Sequence, residues 1–268
     1  MMMMKVDIRE NSPPSSSILS VSATDPDLGE NAEVVYAFSR QSANLASSMF
    51  ALDPTTGVIS SLVPLDFEAT GSLLAFDVIA SNPVDGIAAI QTATARVSIN
   101  VIDLNDNRPS LRVDAAITGT GSSNTADVIS VPENCPPDSV VAHLSVVDLD
   151  TGLGGQVDCS LTGSFDHFRL VHIYDTEFQL LTSSSATLDR ETADRFRLTI
   201  VCHDNGTPPL SSTVELDIEV EDLDDNIPQF SRAVYNFAVN ESTPPGSVLG
   251  RVTATDADTA NGHQSALR

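Results

Sequence analysis

Apolar and polar residues alternate with a period of two through most of this chain. In TVELDIEVED (213–222), Val214, Leu216, Ile218 and Val220 interleave with Glu215, Asp217 and Glu219. A strand points successive side chains to opposite faces, so the run predicts a half-buried antiparallel strand. TARVSINVID (94–103) does the same with Val97, Ile99 and Val101, and VVAHLSVVD (140–148) with Ala142, Leu144 and Val146. Clusters of Pro, Gly, Asn and Ser such as DPTTG (53–57) and DNGTPP (204–209) separate the runs, and helix signals are nearly absent. Short strands with regular turn signals predict an all-β chain built as β-sandwiches.

Two strand ends share an unusual composition. VIDLNDNRP (101–109) and VEDLDDNIP (220–228) each run from apolar residues into Asp and Asn and close on proline, and Asp103 and Asp222 stand 119 residues apart. Other elements recur in the same order. An acidic strand start reads IRENSP, VPENCP and VNESTP, with Glu10, Glu133 and Glu241. Acid pairs follow at Asp25/Asp27, Asp148/Asp150 and Asp256/Asp258, and both elements step by 123 and then by 108 residues. A third element occurs twice, as PLDFEAT with Asp66 and Glu68 and as TLDRETA with Asp189 and Glu191. The repeats predict units at 1–107, 108–226 and 227–268, the first with a shortened first strand and the third cut off after its second strand. The opening MMMMKVDIREN lacks the apolar stretch of a secretory signal, and its methionines are set aside from the expected fold. The incomplete third unit is expected to be disordered or aggregation-prone alone, because its strand edges lack partners.

Composition narrows the chemistry. Lys and Arg total 13 against 37 Asp and Glu, a net charge of −24. That excludes nucleic-acid binding, which needs clustered basic residues. Regular apolar alternation excludes a disordered acidic tail. Carboxylates in register then read as cation ligands. Calcium takes six to eight oxygens from carboxylates, amides and backbone carbonyls, a mixture that Asp and Asn at close spacing supply; no His or Cys set suggests zinc. A single DxD is as readily a solvated turn, but three acidic elements repeated in order are not. An EF-hand fails, because its sixth and twelfth loop positions would be Arg108 and Asp114, or Ile227 and Ala233, with no glycine at the sixth. Asp150-Thr151-Gly152 resembles an aspartic-protease motif but has no second copy to share a proton. The chain is not expected to be an enzyme or to take a small-molecule substrate, and no run of about 18 apolar residues predicts a membrane span.

Cys159 is in phase with Val157 and Leu161, and Cys202 with Phe196, Leu198 and Ile200. Both are expected to face a core, either as two buried thiols or as a disulfide between neighbouring strands. Cys135, between Asn134 and two prolines, is expected to be the exposed one left over.

LDRE (188–191), DLNDN (103–107), DLDDN (222–226), the acid pairs and CHDNGTPPLSS (202–212) together resemble cadherin repeats, in a style most similar to protocadherins. The resemblance covers nearly the whole chain. It implies tandem seven-stranded Greek-key, immunoglobulin-like sandwiches with about three Ca2+ at each complete junction between repeats. The implied first junction uses Glu10, Asp66, Glu68, Asp103, Asn105, Asp106, Asp148, Asp150 and Asp204, with the carbonyls of Leu104 and Asn107. Its eight carboxylates approach neutrality only with metal bound. The second uses Glu133, Asp189, Glu191, Asp222, Asp224, Asp225, Asn226, Asp256 and Asp258. Asp224 stands there in place of the family's usual Asn, and the counterpart of Asp204 lies past Arg268, so a third ion is expected to be weak or absent. Gly154 stands where Asn31 stands in the first repeat, DADTANGHQ is one residue short, and Asn82 replaces an expected aspartate; Asp25, Asp27 and Asn82 would face a preceding repeat.

The resemblance implies an extracellular segment of a membrane-anchored protein. Its calcium stiffens the linkers, and its partner in calcium-dependent adhesion is another cadherin-family protein, homophilic by expectation. The alternative is a calcium-stiffened spacer without partner contact. Exposed apolar residues on the sheet holding the third, sixth and seventh strands of a repeat would favour contact, and a charged face the spacer. Tryptophan-swapping adhesion is excluded for this segment, which has no Trp. Sequons at Asn205 and Asn240 flank expected ligands, where a sugar would crowd a cation.

Overall fold

A computed structural model of the chain describes residues 2–82, 91–116, 128–163, 166–185 and 187–258. It divides into two compact units. The first holds Met1–Arg108 with Asp148–Gln156 and Asp204–Leu210, and the second holds Pro109–Val147, Val157–His203 and Ser211–Arg268.

In the first unit the strands are β1 (Met2–Arg9), β2 (Ser17–Ser20), β3 (Val35–Phe38), β4 (Phe50–Leu52), β5 (Val58–Ser61), β6 (Leu73–Ser81) and β7 (Thr92–Ile102). They form two sheets, ordered β1-β7-β6-β3 and β2-β5-β4. Alternation does the sorting. Met4, Val6 and Ile8 pack toward the core opposite Val97, Ile99 and Val101, while Lys5, Asp7 and Arg9 face solvent. Phe50, Phe76, Ile59 and Leu65 fill the space between the sheets and are at most 2% exposed. The leading methionines are therefore part of the fold: Met2–Met4 extend β1, which pairs parallel to β7. Two short helices, α1 (Ala43–Met49) and α2 (Phe67–Thr70), interrupt the strands.

The second unit has the same plan with one more strand. Its strands β8 (Ser110–Ala115), β9 (Val128–Pro132), β10 (Val140–Val147), β11 (Val157–Gly163), β12 (Phe168–Tyr174), β13 (Glu177–Thr182), β14 (Arg195–Asp204) and β15 (Ser211–Glu221) form sheets ordered β12-β13-β10-β8 and β11-β14-β15-β9. β9 runs parallel to β15, as β1 does to β7. Val131, Leu144, Leu180, Leu198, Ile200 and Leu216 are fully buried between the sheets. The fold is all-β and of the sandwich class. A disulfide joins Cys159 on β11 to Cys202 on β14, with 4.1 Å between the Cα atoms, so the bonded alternative holds. Cys135 is not the exposed residue expected: it is half-buried against the core, and burial raises its thiol pKa.

After residue 226 the described chain forms only the short pair β16 (Gln229–Phe230) and β17 (Ala254–Thr255), and Phe230, Phe237 and Val248 stay exposed. Most of the DADTANGHQ loop lies outside the described residues.

Candidate metal centres

The first acidic cluster lies wholly within the first unit. Glu10 directly follows β1 and is 2% exposed. Its two carboxylate oxygens accept the backbone N–H groups of Phe67 at 2.8 Å and Leu104 at 2.7 Å, which ties three chain segments to one side chain. Asp66 caps α2 by accepting the Ala69 N–H at 2.8 Å, and the short helix holds Glu68 beside Glu10. Oxygens of Glu10, Asp66 and Glu68 approach within 4.8 Å of one another, as do those of Glu68, Asp106 and Asp150.

The linker supplies the rest. Asn107 donates to Asp150 Oδ1 at 2.7 Å, and Asn105 donates to Asp204 Oδ1 at 3.0 Å and to the Pro208 carbonyl at 2.7 Å. Asp204 is fully buried and accepts the N–H groups of Gly206 and Leu210 at 2.8 and 2.9 Å. The Leu104 carbonyl accepts the Asp106 N–H at 2.9 Å, which leaves one lone pair. Glycine makes the space. A Cβ at Gly154 would stand 2.5 Å from Asn105 Oδ1, and one at Gly206 would stand 2.1 Å from Asn105 Cγ. Asp103, Asn105, Asp150, Thr151, Gly154 and Gly206 line a cavity of about 320 Å³.

This arrangement fits a hard cation. Asp103 Oδ1, Asn105 Oδ1 and Asp148 Oδ2 are buried acceptors without a hydrogen-bond donor. Leaving such oxygens unpaired is costly unless something positive meets them. Burial, reinforced by neighbouring carboxylates, raises the pKa values of Glu68, Asp148 and Asp150. The donor set is all oxygen, which suits calcium and not a soft metal.

The second cluster, within the second unit, repeats the design. Glu133, 1% exposed, accepts the N–H groups of Arg190 at 2.9 Å and Leu223 at 2.7 Å. Glu133, Glu191 and Asp222 form one close group of oxygens, and Glu191, Asp225 and Asp258 another. Asn226 donates to Glu191 Oε2 at 3.1 Å, and its N–H reaches Asp258 Oδ2 at 2.7 Å. Asp189 accepts the Thr192 hydroxyl at 2.7 Å, which lowers its pKa. Burial first, then Glu133 and Asp258, raises the pKa of Glu191. Asp222 Oδ1 accepts no hydrogen bond, although Arg190 Nη1 lies 3.3 Å away as an ion-pair partner. Asp224 is exposed and Asp256 accepts the Asp258 N–H at 3.3 Å; neither joins the two close groups.

Some contributors escape a reading by residue type. Asn11 and Asn134 donate to Asp106 and Asp225, and the shared Glu-Asn of IRENSP and VPENCP is their only trace in the sequence. The hydroxyl of Thr151 donates to Asp103. At the other end of the first unit Asn82 donates to Asp25 at 2.9 Å; the Asp27 N–H first, and then this bond, lower the Asp25 pKa. Asn205 and Asn240 are both exposed. Glu241, beside Asn240, is exposed as well, and neither lies in a strand.

Paired sandwiches carrying oxygen-only clusters define a structural repeat protein. A family model described as "Cadherin domain" matches residues 4–102 and 127–221. Mouse protocadherin 18 is 37% identical over 259 residues, covering 96% of this chain and 22% of that protein. Zebrafish protocadherin-19 is 38% identical over 255 residues, covering 94% and 22%. Among solved structures, protocadherin gamma B2 extracellular cadherin domains 3–6 superpose with a TM-score of 0.77 at 32% identity, covering 96% of this chain and 54% of that one. Mouse cadherin-23 EC22–24, at 23% identity and a TM-score of 0.72 over 96% of this chain and 75% of that one, shares the fold. The chain belongs to the cadherin family, a family of adhesion proteins and not of enzymes. It spans about a fifth of the length of the curated relatives it matches. Among the described residues no helix is long and apolar enough to cross a membrane.

Proposed function

We propose that these are extracellular repeats of a protocadherin-like protein that bind calcium at the two acidic clusters and serve calcium-dependent, homophilic cell–cell adhesion. The observation that carries the reading is that Asp103, Asn105 and Asp148 each hold a buried oxygen that no hydrogen-bond donor meets. Bound calcium supplies the positive charge these oxygens lack. The residues do the rest. Glu10 and Glu133 hold their loops by paired backbone bonds, and Asn105 and Asn107 lock residues 103–107 to the loops carrying Asp204 and Asp150. Metal uptake then stiffens the linker. About three ions in the first cluster match its ligand count, and affinities of about 10⁻⁴–10⁻³ M suit the outside of the cell.

A second reading, a calcium-stiffened spacer, has its own support. On the β14–β15 face Arg195 pairs with Glu219 at 3.2 Å and Arg197 with Asp217 at 2.8 Å, a charged ladder and not an apolar contact surface. Calorimetric calcium titration of Asp106→Ala tests the common premise. We expect at least one ion fewer with the folded signal of both sandwiches retained; an unchanged titration sinks the ligand assignment.

A further inference from the structure

The two clusters share a plan and differ at one position inside it. The residue between the acids of LDFE is Phe67, and that between the acids of LDRE is Arg190. Both backbones do the same work, each giving its N–H to the buried glutamate. Their side chains do not. Phe67 packs against the apolar core of its sandwich. The Arg190 guanidinium turns into the cluster, with Nη1 3.3 Å from Asp222 Oδ1 and 3.8 Å from Glu191 Oε1. Those two carboxylates and Glu133 are one of the close oxygen groups of the second cluster. The Arg190 and Asp222 side chains are only 25% and 20% exposed, so solvent screens their attraction less than it would at a surface. Among the described residues no ion pair joins a basic side chain to the first cluster.

We propose that Arg190 is an internal cation of the second cluster. A guanidinium is always charged and cannot leave by losing a proton. It therefore competes with a divalent ion for Asp222 and Glu191, and it holds those carboxylates together when calcium is scarce. The first cluster, with Phe67 in its place, has no such counter-charge and depends on metal for cohesion. The two clusters thus differ in kind: the first is a calcium-dependent joint, the second a joint already partly neutralised that takes calcium less tightly. Asp224 adds a negative charge to the second linker, but it is exposed and outside both close groups. The inference rests on the calcium-binding reading above.

The experiment uses the full chain and four proteins: wild type, Arg190→Phe, Arg190→Lys and Phe67→Arg. Each is titrated with calcium by calorimetry and melted in chelator and in saturating calcium. Removing one positive charge a few ångströms from a dication site is expected to tighten calcium binding in Arg190→Phe by about tenfold, and Phe67→Arg weakens one class of site. In chelator Arg190→Phe melts lower by roughly 2–4 °C, whereas in saturating calcium the difference vanishes. Arg190→Lys, which keeps the charge, stays near wild type in both. A merely structural arginine would lower the melting temperature equally in both buffers, and that outcome overturns the proposal. So does an Arg190→Phe titration that superposes on wild type. Should wild type take up no calcium at all, the calcium-binding reading falls with it, a result distinct from either of the others.

Discussion

Glu10 and Glu133 show how one side chain organises a cluster. Each is buried and satisfied by two N–H groups from distant segments, so each fixes loop geometry whatever else the cluster holds. The carboxylates around them are crowded. Burial and like charges hold the pKa values of Glu68, Asp148, Asp150 and Glu191 above the ordinary range. The native state therefore binds protons more readily than the unfolded chain, so these groups cost stability at neutral pH, and the cost is relieved as pH falls through their raised values. Asp189 and Asp217, whose pKa values Thr192 and Arg197 lower, stay charged in that window. In chelator, the melting temperature is expected to rise as pH is lowered from neutrality to about pH 5. Scanning calorimetry checks this, and a monotonic fall contradicts it. The acids were legible in the sequence because they recur in register. Asn11, Thr151 and the ion pairs of Arg190 were not, because side-chain donors to a carboxylate depend on how loops close.

At the scale of elements, alternation located the strands and turn residues their ends. DPTTG is a clear case. Asp53 accepts the Thr55 and Thr56 N–H groups at 2.9 and 2.8 Å, and Gly57 adopts φ +68°. A Cβ at Gly57 would stand 2.2 Å from the Val21 carbonyl, so Gly57→Ala combines a left-handed backbone with a clash against main chain. We expect it to cost more than about 1 kcal/mol in urea unfolding. The Cys159–Cys202 bond closes a separation of 43 residues, and Cys159→Ala is expected to lose on the order of 2–4 kcal/mol by the same measurement. Other elements were hidden. The helix Ala43–Met49 has no side-chain cap bond at Ser42 and leaves Leu45 exposed, so neither end nor face announces it. The parallel pairing of β1 with β7 joins segments about ninety residues apart, and tertiary packing sets it, not local pattern.

For the whole molecule, the net charge of −24 is the quantity that function must answer. The 13 basic side chains, those of the β14–β15 ladder and Arg190 among them, are already counted in it, and the two acidic clusters are where the proposed divalent cations would offset it. Adhesion and spacing share that chemistry and diverge only in what happens after calcium binds. A spacer changes hydrodynamic shape at constant mass, because a stiffened linker adds drag without adding a partner. An adhesive segment gains mass, because its own copy is the partner expected. Sedimentation velocity of the full chain in millimolar calcium and in chelator separates them. The charged β14–β15 face leads us to expect constant mass with a calcium-dependent shift in sedimentation coefficient. A calcium-dependent dimer would move the adhesive surface onto these repeats, and identical profiles in both buffers would remove calcium from the account.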